Sequence, residues 1–165
     1  QNHTGTSSAR NKCIETSSSN WLTYLDSDNQ WHPDHLLYLL YKISLGEIFF
    51  AYSGRRIHSR RVNSYYVPIK DFSYENLLQD NFIDLNCIIH HKSLVDKCGG
   101  FDTHIKRLVD WELNLRFTRQ LAKEQIASVN VATVEYWSSP RLLRNISYTH
   151  GLEKAYKFIK NKYSK

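Results

Sequence analysis

Short runs rich in aromatic and β-branched residues alternate with helix-period runs along most of this chain, which restricts it to folds that mix a sheet with helices. WLTYLD at 21–26 reads as a strand. PDHLLYLLYKISLG, opened by Pro33 and followed by a helix-stopping Gly46, reads as a helix with leucines on two adjacent faces, and EIFFAYSG at 47–54 as a second strand. NFIDLNCIIH at 81–90 and QIASVNVATVEYW at 125–137 add two more strands. GTSSARNKCIETS at 5–17, FSYENLLQ at 72–79 and KSLVDKCGG read as short helices, and Leu108 to Leu121 as a longer one with Val109, Leu113, Phe117 and Leu121 four apart. RRIHSRRVNSYYVP is a basic excursion or hairpin and SSPRLLRN a loop. GLEKAYKFIKNKYSK is a basic amphipathic tail helix, read either as meeting anionic lipid through Lys154, Lys157, Lys160, Lys162 and Lys165 or as packing Leu152, Ala155, Tyr156 and Ile159 on the domain, the second being the expectation.

An apolar share of 41% over 165 residues is enough for one core, so the expected organisation is one α/β unit over 1–140 with a loop and basic helix, 141–165, packed on it. Three widely spaced cysteines, Cys13, Cys87 and Cys98, give no CxxC pair and no zinc spacing. No apolar run approaches the ~20 residues of a membrane-spanning helix, and QNHTGTSSAR lacks the apolar stretch of a signal peptide. A cytoplasmic protein is expected, free or peripheral to the inner face of a membrane. The net charge of +6 favours anionic partners. The chain has no initiating methionine and starts inside a fold unit, which reads as a fragment of a longer protein.

The chemistry concentrates first at WLTYLDSDNQWHPDHL, where Asp26 and Asp28 close a strand. In an open α/β sheet, ligands collect where strands end and loops leave. A hard cation such as Mg²⁺ or Mn²⁺ needs only one or two carboxylates when a diphosphate supplies the remaining oxygens. The same residues could simply cap the following helix, and both readings stay open at this point.

Taken together, GTSSARNKCIE, WLTYLDSDNQWHPDHL, DLNCIIHHKSLVDKCGGFD and VDWELNLRF resemble, in order and spacing, family 2 glycosyltransferases of the GT-A fold. Gly5, Ala9, Arg10 and Asn11 match the segment that precedes the Asp-x-Asp strand in that family. The resemblance implies an α/β chain with a mixed sheet flanked by helices, a partial GT-A fold lacking the N-terminal strand-helix-strand part. It implies Asp28 as a metal ligand for Mn²⁺ or Mg²⁺, Asp26 as a contact to the ribose or to the metal and its water shell, and Arg10 as a nucleotide contact. An unpaired edge of the truncated sheet would suit a homodimer.

The second constellation is GGFDTHIKRLVDWELNLRF. Gly99 and Gly100 either stop a helix or allow close backbone approach to a donor sugar. Asp110, at the start of a helix, is a capping acid or a general base. By the resemblance, Asp110 deprotonates the acceptor hydroxyl in an inverting transfer. Val109 stands where many relatives have a second acid, and Glu112 is the lesser candidate. Trp111 is core or an acceptor wall. His90 and His91 are ordinary loop residues or pocket residues, and Arg55, Arg56, Arg60 and Arg61 form a solvated hairpin or a basic face.

The resemblance thus implies a nucleotide-diphosphate sugar donor, a glycan or lipid-linked acceptor, and a place in bacterial surface polysaccharide synthesis. A nucleotidyltransferase would want a glycine-rich phosphate loop with lysine, which is absent. A noncatalytic basic module or nucleic-acid binder would need arginines and aromatics on one continuous face. The aromatics lie inside apolar runs instead, so nucleic acid is not an expected partner.

Overall fold

The computed structural model describes residues 5–59, 64–66, 69–138 and 151–164. In chain order the elements are α1 (Thr6–Thr16), β1 (Trp21–Thr23), β2 (Asn29–Trp31), α2 (His35–Ser44), β3 (Phe50–Ser59), β4 (Ser64–Tyr66), α3 (Tyr74–Gln79), β5 (Ile88–His91), α4 (Ser93–Cys98), α5 (Val109–Thr118), β6 (Ile126–Ser138) and α6 (Leu152–Tyr163). The strands form one mixed sheet in the order β1-β5-β3-β6-β2, with β4 paired to β3. Among the described residues, only β3 and β6 run parallel; the other pairs are antiparallel. Among the described residues, β1 and β2 end this path, and β4, paired to β3 alone, is an edge as well.

Strand alternation sorts the core onto two faces. Phe50, Tyr52 and Ile88 point into a large cluster with Leu77, Ile83, Trp111, Leu113, Phe117 and Ile159, covered by α3, α5 and α6. Their neighbours Ala51 and Ile89 point the other way, into a small cluster closed by Leu39 of α2. The two apolar faces read for α2 are not both used: Leu39 is fully buried, while Leu36, Leu37, Leu40, Tyr41 and Leu45 remain exposed.

In the tail helix Ile159 and Tyr163 are buried in the large cluster, whereas Tyr156, read as facing the domain, is exposed. Three boundaries differ from the sequence reading. Asn29-Gln30-Trp31, which has no β-branched residue, forms a strand because β6 offers it an edge: Gln30 pairs with Glu135 and Trp31 with Val134. Most of 81–90 is not strand. Asp84 accepts hydrogen bonds from the Asn86 amide (2.9 Å) and Asn86 Nδ2 (2.8 Å), turning Leu85–Cys87 into a short 3-10 helix before β5 begins. The strand read as ending at 54 runs on to Ser59 and pairs antiparallel with β4, which is the hairpin alternative for the basic run. Arg60, Arg61 and most of the SSPRLLRN loop lie outside the described residues.

Candidate functional site

Strand β1 pairs with β5 in antiparallel register, Trp21 with His91, Leu22 with His90 and Thr23 with Ile89. Stepping the same register onward past the strand ends sets Asp26 opposite Asn86. The Asp26 amide there donates to Asn86 Oδ1 at 2.6 Å, and Asn86 Nδ2 faces Asp26 Oδ2 at 3.4 Å. Asn86 is buried, its backbone carbonyl accepts from Trp31 Nε1 (2.9 Å), and its carboxamide nitrogen also holds Asp84. Asp84 in turn is paired with Arg55. On the other side Arg10, from α1, donates to Asp26 Oδ1 at 2.6 Å and lies over the Phe101 ring, 5.4 Å from its centroid. Two carboxylates are thus joined by one carboxamide and flanked by two guanidinium groups. Asp28 is exposed and makes no hydrogen bond or ion pair among the described residues.

Asp110 sits in the first turn of α5, half-buried, and accepts from Asn81 Nδ2 at 3.0 Å. Burial pushes its carboxyl above the ordinary carboxylate range, and the Asp84 charge pushes the same way. The residue that starts the helix, Leu108, adopts a left-handed conformation (φ 55°, ψ 30°), unusual for a branched side chain. Local strain of about 1–2 kcal/mol is therefore held two residues from Asp110.

Gly99 and Gly100 form the turn after α4, with Gly99 at φ 84°. Arg116 Nη1 donates to the carbonyls of Cys98 (2.6 Å) and Gly99 (2.7 Å), and Nη2 to that of Gly100 (2.7 Å). From the other side Asn11 brackets Phe101, donating to its carbonyl (2.9 Å) and accepting from its amide (2.7 Å). A Cβ on Gly100 would run into that Asn11 carboxamide. Gly100→Ala is therefore expected to cost about 1–3 kcal/mol, since Asn11 cannot yield without releasing Phe101. Urea unfolding of the variant reads this directly; a midpoint equal to that of the parent chain would show that the turn has room to spare.

The remaining candidates divide plainly. Glu112 has no exposed surface and its carboxylate takes Arg116, Lys162 and Tyr163, which leaves it no opening toward an acceptor. Trp111 is core, 1% exposed, with Nε1 donating to the Leu77 carbonyl. His90 is strand core rather than loop: it stacks on Tyr24, bonds the Tyr24 hydroxyl at 2.8 Å, and burial lowers its pKa to about 4. His91 lies at the end of β5 against Ser93. Arg55 joins the site through Asp84 and Arg56 pairs with Glu135, so neither presents a free basic face. Asp84 and Asn86 were missed in the sequence because they read as interior residues of a strand; the Asp-x-Asn spacing that caps a tight turn was the available signal.

The oxygen donors fit a hard divalent cation only in company. No group of three His, Cys, Asp or Glu side chains converges among the described residues, so protein alone does not build a closed cage. One exposed carboxylate at Asp28, with Asp26 already committed to Arg10 and Asn86, suits a cation that keeps its waters and shares diphosphate oxygens.

A family model described as Glycosyl transferase family 2 matches residues 1–98. A search of curated proteins by sequence gave no match. Among solved structures, Staphylococcus aureus TarS aligns with TM-score 0.67 at 14% identity, covering 99% of this chain and 31% of that one. The S. aureus TarS 1-349 complex with UDP aligns with TM-score 0.64 at 15% identity, covering 99% and 52%. Glucosyl-3-phosphoglycerate synthase from Mycobacterium tuberculosis, in complex with phosphoglyceric acid, aligns with TM-score 0.60 at 14% identity, covering 95% and 55%. At such identities the likeness establishes the fold, a partial GT-A architecture, and the chain spans about a third to about half of those proteins.

Proposed function

Because the chain belongs to glycosyl transferase family 2, we propose that it carries the donor-diphosphate and base elements of an inverting sugar transfer from a nucleotide-diphosphate donor to a glycan or lipid-linked hydroxyl. The observation that carries this reading is the continuous contact from the Asp26-Ser27-Asp28 turn through Asn86 to Asp84, the charged neighbour of Asp110. It supports reading the acidic turn and the base candidate as parts of one site.

In this reading Asp110 takes the proton from the acceptor hydroxyl while that oxygen attacks the anomeric carbon from the face opposite the diphosphate. The new C–O bond forms as the bond to the β-phosphate oxygen breaks, and the configuration inverts. A divalent cation bound at Asp28 would supply Lewis-acid neutralisation of the charge growing on the departing nucleoside diphosphate. Arg10 holds Asp26 in place and adds positive charge beside the same phosphates. Gly99 and Gly100, pinned by Arg116, form the turn against which the donor sugar would lie. No helix among the described residues is long and apolar enough to cross a membrane. The proposed place of action is the cytoplasm, at the membrane face when the acceptor is lipid-linked, in the synthesis of a bacterial surface polysaccharide.

The test is the melting shift with Mn²⁺ plus UDP, GDP, CDP or dTDP in turn. UDP comes first because the TarS 1-349 neighbour is solved with it. Ligand at a hundred times its dissociation constant stabilises the native state by about 2.7 kcal/mol, roughly 5–10 °C for a chain of this size. Asp28→Ala is expected to remove the Mn²⁺-dependent part of that shift. A full shift retained in Asp28→Ala would take the cation away from this turn.

A further inference from the structure

The ladder between β1 and β5 ends in an unusual way. The paired residues end at Thr23 and Ile89, yet further along the same register the amide of Asp26 is still satisfied from the β5 side. Its acceptor is a side chain, Asn86 Oδ1, in place of the main-chain carbonyl a sheet would offer. The Asn86 carbonyl is occupied elsewhere, by Trp31 Nε1.

We propose that Asn86 is the positioning residue of the acidic turn: its carboxamide stands in for the missing ladder partner and fixes both the backbone and the carboxylate of Asp26. The carboxamide has only one workable orientation. Nδ2 faces two carboxylates, Asp84 Oδ1 at 2.8 Å and Asp26 Oδ2 at 3.4 Å, while Oδ1 faces an amide. A flipped group would set its oxygen against both carboxylates and its nitrogen against an N–H. Asp84 therefore locks Asn86, and Arg55 locks Asp84. With Asn86 2% exposed, no water replaces these bonds without opening the sheet edge. The consequence for a bound donor rests on the reading above; the hydrogen-bond role does not.

Amide exchange in the ligand-free protein tests the role. Asn86→Leu keeps the volume and removes the acceptor. The Asp26 amide is expected to lose roughly tenfold or more of its protection in Asn86→Leu, while the amides of the β1–β5 ladder stay protected. If Asn86→Leu does not fold, Asn86→Ala gives the same comparison. Equal Asp26 protection in the wild type and the Leu or Ala variant overturns the proposal. Titration with Mn²⁺ and UDP forms a second arm, in which Asn86→Leu weakens binding by roughly tenfold or more. The predicted exchange pattern in a wild-type protein that binds no nucleotide would support the role of Asn86 and remove the donor-site reading instead.

Discussion

Asp110→Asn is expected to lower kcat by roughly 10³-fold in a turnover-competent form of the protein while leaving donor binding intact, the loss typical of a missing general base. The substitution keeps shape and the bond from Asn81, since an amide oxygen can accept from Asn81 Nδ2 as the carboxylate does. What disappears is the ability to take a proton. The pH profile supplies an independent sign. Because burial and then the Asp84 charge raise the Asp110 pKa, the wild-type rate should rise with pH along an acidic limb placed above the ordinary carboxylate range. That limb should be missing from the residual activity of the variant.

Stability should move the other way. A folded-state pKa above the unfolded value means the native form holds its proton more tightly. The resulting stability is present below the unfolded pKa and lost as pH rises through the folded one. At neutral pH the ionised, desolvated Asp110 is then a burden on the fold, and Asp110→Asn should melt above the wild type, with the gap closing toward acid pH. A variant that loses activity and also melts lower at neutral pH would show Asp110 to be a structural cap rather than a base.

The sequence carried the alternation of strands and helices well because that signal is local. The runs at 6–16, 35–44, 50–54, 126–137 and 152–163 each contain their own periodicity and stop residues. The strand at Asn29–Trp31 was not legible, since Trp31 alone in Asn-Gln-Trp favours extended chain and it is the edge of β6 that makes it a strand. At the site, Asp26, Asp28 and Asp110 stand out by type and place. Asn86 and Asp84 do not, because their importance comes from a partner 60 residues away for Asn86 and 29 residues away for Asp84. The positions of Gly99 and Gly100 suggested room for a ligand, yet much of that room is filled by Asn11 and much of the turn is fixed by Arg116. Compositional reading sees that a small residue is needed but not what crowds it.

Glu112→Ala should be the most destabilising single change near the site. Glu112 is wholly buried, yet its two oxygens receive Arg116 Nε (3.0 Å) and Nη2 (2.8 Å), Lys162 Nζ (2.8 Å) and the Tyr163 hydroxyl (2.6 Å). Burial alone would raise its pKa; the hydrogen bonds from Arg116, Lys162 and Tyr163 outweigh that, and the net direction is down. Removing the carboxylate leaves two cations facing one another at the α5–α6 contact, a loss of about 3–5 kcal/mol for a broken buried pair. For a chain of this size that is a fall in Tm of roughly 10 °C. Because the folded pKa is depressed, the stabilisation is present above the unfolded Glu value and is lost as pH falls through the folded one, so the wild type should show an acid-side loss that Glu112→Gln lacks. Limited proteolysis separates this from a general loosening: α6 is held to α5 through Lys162 and Tyr163, so cleavage within 152–163 should accelerate first, while Arg116 keeps its bonds to the Gly99 and Gly100 carbonyls. A Glu112→Ala protein that melts within about 1 °C of the parent would mean that α6 is held by the apolar packing of Ile159 and Tyr163 and by the bonds of Lys160 to α3.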